Sequence, residues 1–196
     1  MKLSYLLSFF LASLVITSPV ATPNGTDDVA LTTRTTTNDT PEYKAAIAAH
    51  PTLSKDKYYY FTIKWPLGAE VGDGDQESDA ELKALQQQLG FEHIGVVVGQ
   101  ITETVSGKGK NQKTTRHFNA SLYHMTKKNK VPGDTEFKHS KYRADAKHLK
   151  FRGETSNKKA NSVSKAGKDY VSVNDIYKVQ GNNCNDFAKA VMNVLR

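Results

Sequence analysis

The sequence predicts an α+β fold in which an antiparallel sheet packs against a C-terminal helix. Three observations predict it: runs of aromatic and β-branched residues typical of strands, two earlier stretches with helical spacing, and an apolar four-residue repeat near the end of the chain. The predicted order is helix, strand, helix and then mostly strands, which is typical of α+β proteins. The length of 196 residues and the hydrophobic content of 38% suit one globular domain.

The first twenty residues have the pattern of a secretory signal peptide. Met1 and Lys2 precede an apolar run over residues 3–16, which is too short and too often interrupted by serine to span a membrane. Residues 21–40 are rich in threonine and poor in apolar side chains, so they predict a disordered leader. We therefore expect a secreted, monomeric protein with no transmembrane segment and a single globular domain over residues 41–196.

The asparagine sequons and the single cysteine bear on secretion and on how the fold is held together. Three sequons begin at Asn24, Asn38 and Asn119, and they would accept N-glycans in a eukaryotic secretory pathway. Cys184 is the single cysteine, which excludes an intramolecular disulfide and with it the class of small disulfide-stapled proteins. No pair of histidine or cysteine residues has the short spacing of a structural zinc site, so no metal and no cofactor is predicted.

The first predicted elements alternate between helix and strand. Pro41 begins a stretch with helical spacing, and Pro51 ends it. Residues 57–65 are dense in aromatic side chains and predict a strand. Residues 78–89 begin with a capping box and continue with a leucine stripe, and Gly90 suits a helix C-terminus. This segment therefore predicts a second helix.

The next segment predicts mainly strands. Residues 91–99 form a continuous apolar stretch, typical of a strand buried on both faces. Residues 113–125 alternate and predict the returning arm of a hairpin. Residues 148–151 and 170–173 predict two shorter strands, separated by a loop over residues 153–168 that is rich in Lys, Asn and Ser.

A final helix carries the candidate nucleophile, Cys184. Phe187, Val191 and Leu195 recur every four residues and predict a helix buried on one side. The glycine and asparagines before Cys184 place it in the first turn, where unpaired amides and the helix dipole favour an anion. This environment predicts a lowered thiol pKa and a reactive thiol, whereas the alternative is an inert, buried cysteine.

A cysteine nucleophile also needs a base within hydrogen-bonding reach. Of the six histidines, His93 is favoured because it stands at the mouth of the buried strand. His124 is second, because it lies at the end of a neighbouring strand and shares a face with Phe118, while Asn119 faces solvent. We expect Cys184, His93 and His124 to be catalytic; the alternative for each histidine is a structural or surface role.

The two motifs that carry these residues resemble a known group of enzymes. They are Glu-His-Ile-Gly-Val-Val-Val-Gly over residues 92–99 and Asn-Cys-Asn-Asp-Phe-Ala over residues 183–188. Together they resemble the circularly permuted papain-like thiol enzymes, which include the PPPDE peptidases and the lecithin retinol acyltransferase relatives. The cysteine motif is closest to the PPPDE pattern, and residues 122–125 are similar to the second histidine strand of the acyltransferase group.

This resemblance implies a permuted papain-like domain and assigns roles to the candidate residues. It implies that Cys184 is the nucleophile, His93 the base and His124 a third member. The implied reaction is hydrolysis or acyl transfer on a peptide, amide or ester substrate. Backbone amides at the start of the cysteine helix, assisted by Asn182, Asn183 or Asn185, would stabilise the oxyanion.

The basic charge of the chain supports a competing hypothesis. The net charge is +7, and residues 101–170 hold 17 Lys and Arg against 6 Asp and Glu. The alternative function is therefore a non-catalytic secreted effector or toxin-like protein whose basic segment binds an anionic partner such as nucleic acid, an acidic glycan or lipid headgroups. A solvated loop surface would give the same composition.

Overall fold

The computed structural model describes residues 36–71, 80–128, 133–144 and 149–196. They belong to one compact unit, Thr33–Arg196. The predicted signal peptide, Ser78 and His148 lie outside the described residues. The helices are α1 Pro41–Ala49, α2 Ala80–Leu89, α3 Asn157–Val173 and α4 Cys184–Leu195, and the strands are β1 Thr36–Asp39, β2 Tyr58–Trp65, β3 His93–Ser106, β4 Lys113–Lys127, β5 Gly133–Lys141, β6 Leu149–Thr155 and β7 Ile176–Tyr177.

The strands form one sheet whose order is β6-β2-β3-β4-β5-β7, with antiparallel neighbours throughout. Strand β1 pairs with β4 in parallel, outside this order. The register places Trp65 opposite His93 and Val96 opposite Tyr123. The predicted mixture of helices and an antiparallel sheet is confirmed.

Alternation along the strands gives the sheet two apolar faces, and helices cover both. Helices α2, α3 and α4 cover the first, here called the α4 face, and α1 covers the second, the α1 face. On β3, Ile94, Val96 and Val98 lie on the α4 face, whereas Val97 and Ile101 lie on the α1 face. The prediction that this strand is buried on both faces is confirmed.

Several predicted elements are also confirmed at their ends. Helix α1 begins at Pro41, where Thr40 Oγ1 accepts a hydrogen bond from the Tyr43 N–H. Helix α4 begins at Cys184 and buries the predicted four-residue stripe. Among the described helices, none combines the length and the apolar composition needed to cross a membrane.

The prediction of a loop over residues 153–168 is wrong, because these residues form the end of β6 and most of the long helix α3. Ser156 caps this helix, and its buried stripe consists of Ala160, Val163 and Gly167. These small residues give a weak periodic signal among many lysines and asparagines, which explains why the segment was expected to be a loop. The predicted strand at residues 170–173 is wrong, because it is the last turn of α3.

A second prediction, the disordered leader over residues 21–40, is wrong at its end, because residues 36–39 form β1. Asp39 accepts hydrogen bonds from Arg116 Nε at 2.6 Å and Nη2 at 2.9 Å. Because Arg116 is far from Asp39 in the sequence, the composition of residues 36–39 does not predict this contact. Strands β5 and β7 were missed for the same reason, because pairing with neighbours forms them despite their polar sequences.

Candidate active site

A capping box fixes the start of the helix that carries Cys184. Asn183 Oδ1 accepts hydrogen bonds from the N–H groups of Asn185 and Asp186, at 2.9 and 3.2 Å. The Asp186 carboxylate accepts in return from the Asn183 N–H at 3.4 Å. The amides of the first turn therefore already have partners, and the expected oxyanion site made of these amides is not preformed.

The loop that precedes the helix is held by Asn182. Its Nδ2 donates to the carbonyls of Asn174 and Ile176, at 2.9 and 2.6 Å. Its Oδ1 accepts from the Tyr170 hydroxyl at 3.1 Å. Because these bonds use both ends of the amide, Asn182 has a structural role in this arrangement.

Of the three asparagines beside Cys184, Asn185 alone has a side chain without a hydrogen bond to any described residue. Asn183 uses its oxygen for the capping box and donates from Nδ2 to the Val179 carbonyl at 2.8 Å. Asn185 is half-buried and occupies the second position of α4. Its amide is therefore the one that can turn toward a ligand at Cys184.

The Cys184 thiol is buried between Tyr177 and the start of β3. The Cys184 N–H donates to the Tyr177 hydroxyl oxygen at 3.3 Å, and the hydroxyl itself donates to Sγ. Ile94 and Cys184 pack in one buried cluster, and the backbone N–H of Ile94 lowers the thiol pKa. The sulfur thus lies at the mouth of β3, next to the residue that follows His93.

Burial raises the pKa of the Cys184 thiol, and hydrogen bonds from Tyr177 and Ile94 offset the rise only in part. The expectation of a lowered thiol pKa is therefore wrong. The physical reason is desolvation: the sulfur is only 4% exposed, and its surroundings penalise the thiolate more than the local donors favour it. The thiol is neutral in the resting protein.

His93 begins β3, and its imidazole lies on the α1 face. Its ring packs edge-on against Trp65, with centroids 4.9 Å apart. Its Nε2 lies 2.9 Å from Nδ1 of His124, so one nitrogen donates to the other. Burial, followed by the nearby His124, lowers the pKa of His93 well below its ordinary value of 6.5. His93 is therefore a neutral imidazole at neutral pH.

The strand positions of His124 agree with the predicted alternation. His124 is buried with Phe118 on the α1 face, and Asn119 is exposed on the other side. Tyr123 shares the side of Asn119 but is buried on the α4 face, because α3 and α4 cover that part of β4. The solvated face is thus limited to the region of Asn119.

The three predicted residues lie close together without forming a hydrogen-bonded triad. His93 and His124 contact each other directly, and Cys184 contacts the backbone beside His93. Within the described part of the chain, no hydrogen bond joins the Cys184 thiol to the His93 imidazole. The imidazoles lie beside Trp65 on the α1 face, whereas the thiol is packed on the α4 face, so the two groups are on opposite sides of β3.

Sequence reasoning missed Tyr177 and Trp65. Tyr177 follows a polar helix end and has no periodic neighbour, so nothing in its local sequence indicates contact with Cys184. Trp65 could have been recognised only from the β2–β3 register, which α2 interrupts in the sequence. Both residues enter the site through tertiary pairing.

Two further sources of evidence are a possible metal site among the described residues and the comparison with known proteins. The described residues contain no group of three or more His, Cys, Asp or Glu side chains arranged to hold a metal ion. Comparison with protein-family profiles, with curated proteins and with solved structures found no match. The functional proposal therefore depends on the geometry of the site and on the two sequence motifs.

Proposed function

We propose that this chain is a secreted cysteine-dependent hydrolase or acyltransferase of the permuted papain-like type, acting on an amide or ester. The observation that carries the proposal is the packing of Cys184 with Ile94 in one buried cluster, where the Ile94 N–H lowers the thiol pKa. It places the thiol against the backbone of the residue that follows His93. The His93 imidazole lies on the other face of β3, beside Trp65, so the proposed reaction requires this side chain to turn toward the thiol at the strand mouth.

The pair of histidines defines which nitrogen of His93 acts as the base. His93 Nε2 is bonded to His124, so Nδ1 is the nitrogen available to the thiol. The tautomer that leaves a lone pair on Nδ1 carries its proton on Nε2, which then donates to His124 Nδ1. His124 is thus a positioning residue that selects the tautomer of His93.

The reaction begins with two neutral groups. Cys184 Sγ forms a bond to the substrate carbonyl carbon while its proton passes to His93. His93 returns that proton to the leaving oxygen or nitrogen as the bond between that atom and the carbonyl carbon breaks, and a thioester remains. Water then attacks the thioester and gives a proton to His93, which returns it to Sγ as the carbon–sulfur bond breaks. A hydroxyl or amine acceptor in place of water gives acyl transfer.

Two donors beside Sγ are suited to the oxyanion. The Asn185 side chain has no partner among the described residues, and the Tyr177 hydroxyl already points to the sulfur. Burial and the neighbouring Cys184 raise the pKa of Tyr177, so its hydroxyl keeps its proton and remains a donor. A preorganised donor at this position contributes about 2.7–4 kcal/mol in other acyl-transfer enzymes.

Hydrolysis of p-nitrophenyl acetate tests the proposal. We expect C184A and H93Q to lose activity by about 1,000-fold or more, because nucleophile and base act as a unit. The matched control is H117A, since His117 is away from the site and bonds Thr104 Oγ1 at 2.9 Å. Mass spectrometry of the quenched wild type should find an acetyl group on Cys184. Full activity in C184A would overturn the proposal.

The alternative, an anionic partner bound by residues 101–170, has less support. A single binding surface requires the cations to share one face, but the exposed ones lie on separate elements. In the described part of this segment they are Lys108 and Lys110 in the β3–β4 turn, Lys113 at the start of β4, Lys128 after its end, Lys141 and Arg143 at the end of β5, Lys150 and Arg152 on β6, and Lys158, Lys165 and Lys168 on α3.

A further inference from the structure

Three exposed cations converge near the mouth of β3. Lys64 lies on β2, and Lys150 and Arg152 lie on β6, the edge strand beside it. Lys150 pairs with Thr62, and Arg152 Nε donates to Thr62 Oγ1 at 2.9 Å. Because Thr62 is buried, this bond fixes the position of the guanidinium, and it uses only one of the five N–H donors of Arg152.

Among the described residues, no carboxylate compensates the charges of this cluster. Lys64 Nζ lies 4.1 Å from the centroid of the Phe91 ring. Partial burial, followed by the charges of Arg152 and Lys150, lowers the pKa of Lys64. In the region that the structure describes, none of the three cations forms an ion pair with a carboxylate. Like charges held together in this way create a positive potential that attracts anions.

The cluster adjoins the candidate nucleophile. Lys64 is the register partner of Ile94, and residues opposite each other in an antiparallel pair project to the same face. Lys64 also contacts the ring of Phe91, and Phe91, Ile94 and Cys184 belong to one buried cluster. The cations and the candidate nucleophile therefore lie on the same face of the sheet, around the start of β3.

We propose that Lys64, Lys150 and Arg152 form a subsite for an anionic group, a carboxylate or a phosphate, carried by the acyl substrate near its scissile bond. The inference rests on the proposed thiol chemistry and names the substrate class for it. The Arg152 fork suits two oxygens of such a group, and the two lysines add point charges. Neutral acyl substrates lack these contacts and are poorer substrates.

A matched pair of esters tests the subsite. p-Nitrophenyl hemiglutarate carries a carboxylate, and p-nitrophenyl pentanoate has the same chain length without the charge. We expect the ratio of their kcat/KM values to fall about tenfold or more in K64Q/K150Q/R152Q, on the scale of charge-assisted hydrogen bonds. The control K108Q/K110Q/K113Q removes the same charge from the β3–β4 turn and the first residue of β4, and it should keep the ratio. An equal ratio in the wild type and the cluster variant would overturn the proposal.

Binding without turnover separates this proposal from the proposed function. Glutarate and inorganic phosphate are titrated separately into labelled protein, and the amide resonances of Lys64 and Ile94 are followed. Shifts that appear in the wild type and are lost in the cluster variant support the subsite, even if neither ester is hydrolysed. The stronger of the two probes identifies the anion. If the triple variant does not fold, K64Q alone replaces it, and unchanged shifts in K64Q overturn the role of Lys64.

Discussion

His93 Nε2 and His124 Nδ1 lie 2.9 Å apart, in a pair of imidazoles buried beside Trp65. A hydrogen bond at this distance needs one donor and one acceptor, so the two facing nitrogens share a single proton. A proton on both facing nitrogens would place two N–H donors against each other and leave a charged imidazolium in a desolvated site. The hydrogen bond to His124 therefore sets both the orientation of the His93 ring and the nitrogen of that ring that carries a proton.

Removal of the positioning histidine should reduce activity without removing the nucleophile. We expect H124A to lower kcat/KM for Cys184-dependent ester hydrolysis about 10- to 100-fold, as supporting residues do elsewhere. The variant should also raise the pKa of His93, because the His124 charge contributes to lowering it. The imidazole pKa is measured by NMR titration. H117A is the control, and activity equal to wild type in H124A would remove His124 from the site.

Acid should destabilise the protein through His93. The folded pKa of His93 lies below its unfolded value of 6.5, so between the two the unfolded chain binds a proton that the native protein does not. Stability present above about pH 6.5 is therefore lost as the pH falls, by up to about 1.4 kcal/mol per pH unit for this one proton. Urea denaturation at a series of pH values measures the slope. H93Q should flatten it relative to H117A, and an unchanged slope would contradict this assignment.

The Tyr177 hydroxyl should control the reactivity of the thiol. It donates to Cys184 Sγ and so lowers the thiol pKa against the effect of burial. We expect Y177F to move the pH profile of iodoacetamide alkylation upward, because the thiolate loses a donor. Y170F removes a hydroxyl that bonds Asn182 instead and serves as the control. A downward shift in Y177F would be inconsistent with this contact.

The packing of α3 on β5 should be sensitive to one methyl group. A Cβ on Gly167 would overlap the ring of Phe137. We expect G167A to reduce the free energy of unfolding by about 1–3 kcal/mol through overpacking, although alanine favours a helix by about 1 kcal/mol. Denaturant unfolding measures the change. In the background of F137L, the same substitution should cost less, and additive effects would argue against the overlap.

The local sequence determined the elements with strong periodicity. Helix α1, strand β2 and helix α4 begin within one residue of where prolines, caps and apolar spacing predict them, and β3 begins two residues later than predicted. The positions of His93 at a strand mouth and Cys184 in a first helical turn follow from the same patterns. These features depend on interactions within a few residues, so the sequence contains the information for them.

Tertiary structure decided the rest, because burial and pairing join residues distant in sequence. The contact of Cys184 with Tyr177, the opposition of Trp65 and His93, and the tie between Asp39 and Arg116 arise only when the sheet forms. The thiol pKa is the clearest case. A helix start by itself lowers it, but folding removes the sulfur from water, and the desolvation of the thiolate outweighs the nearby donors.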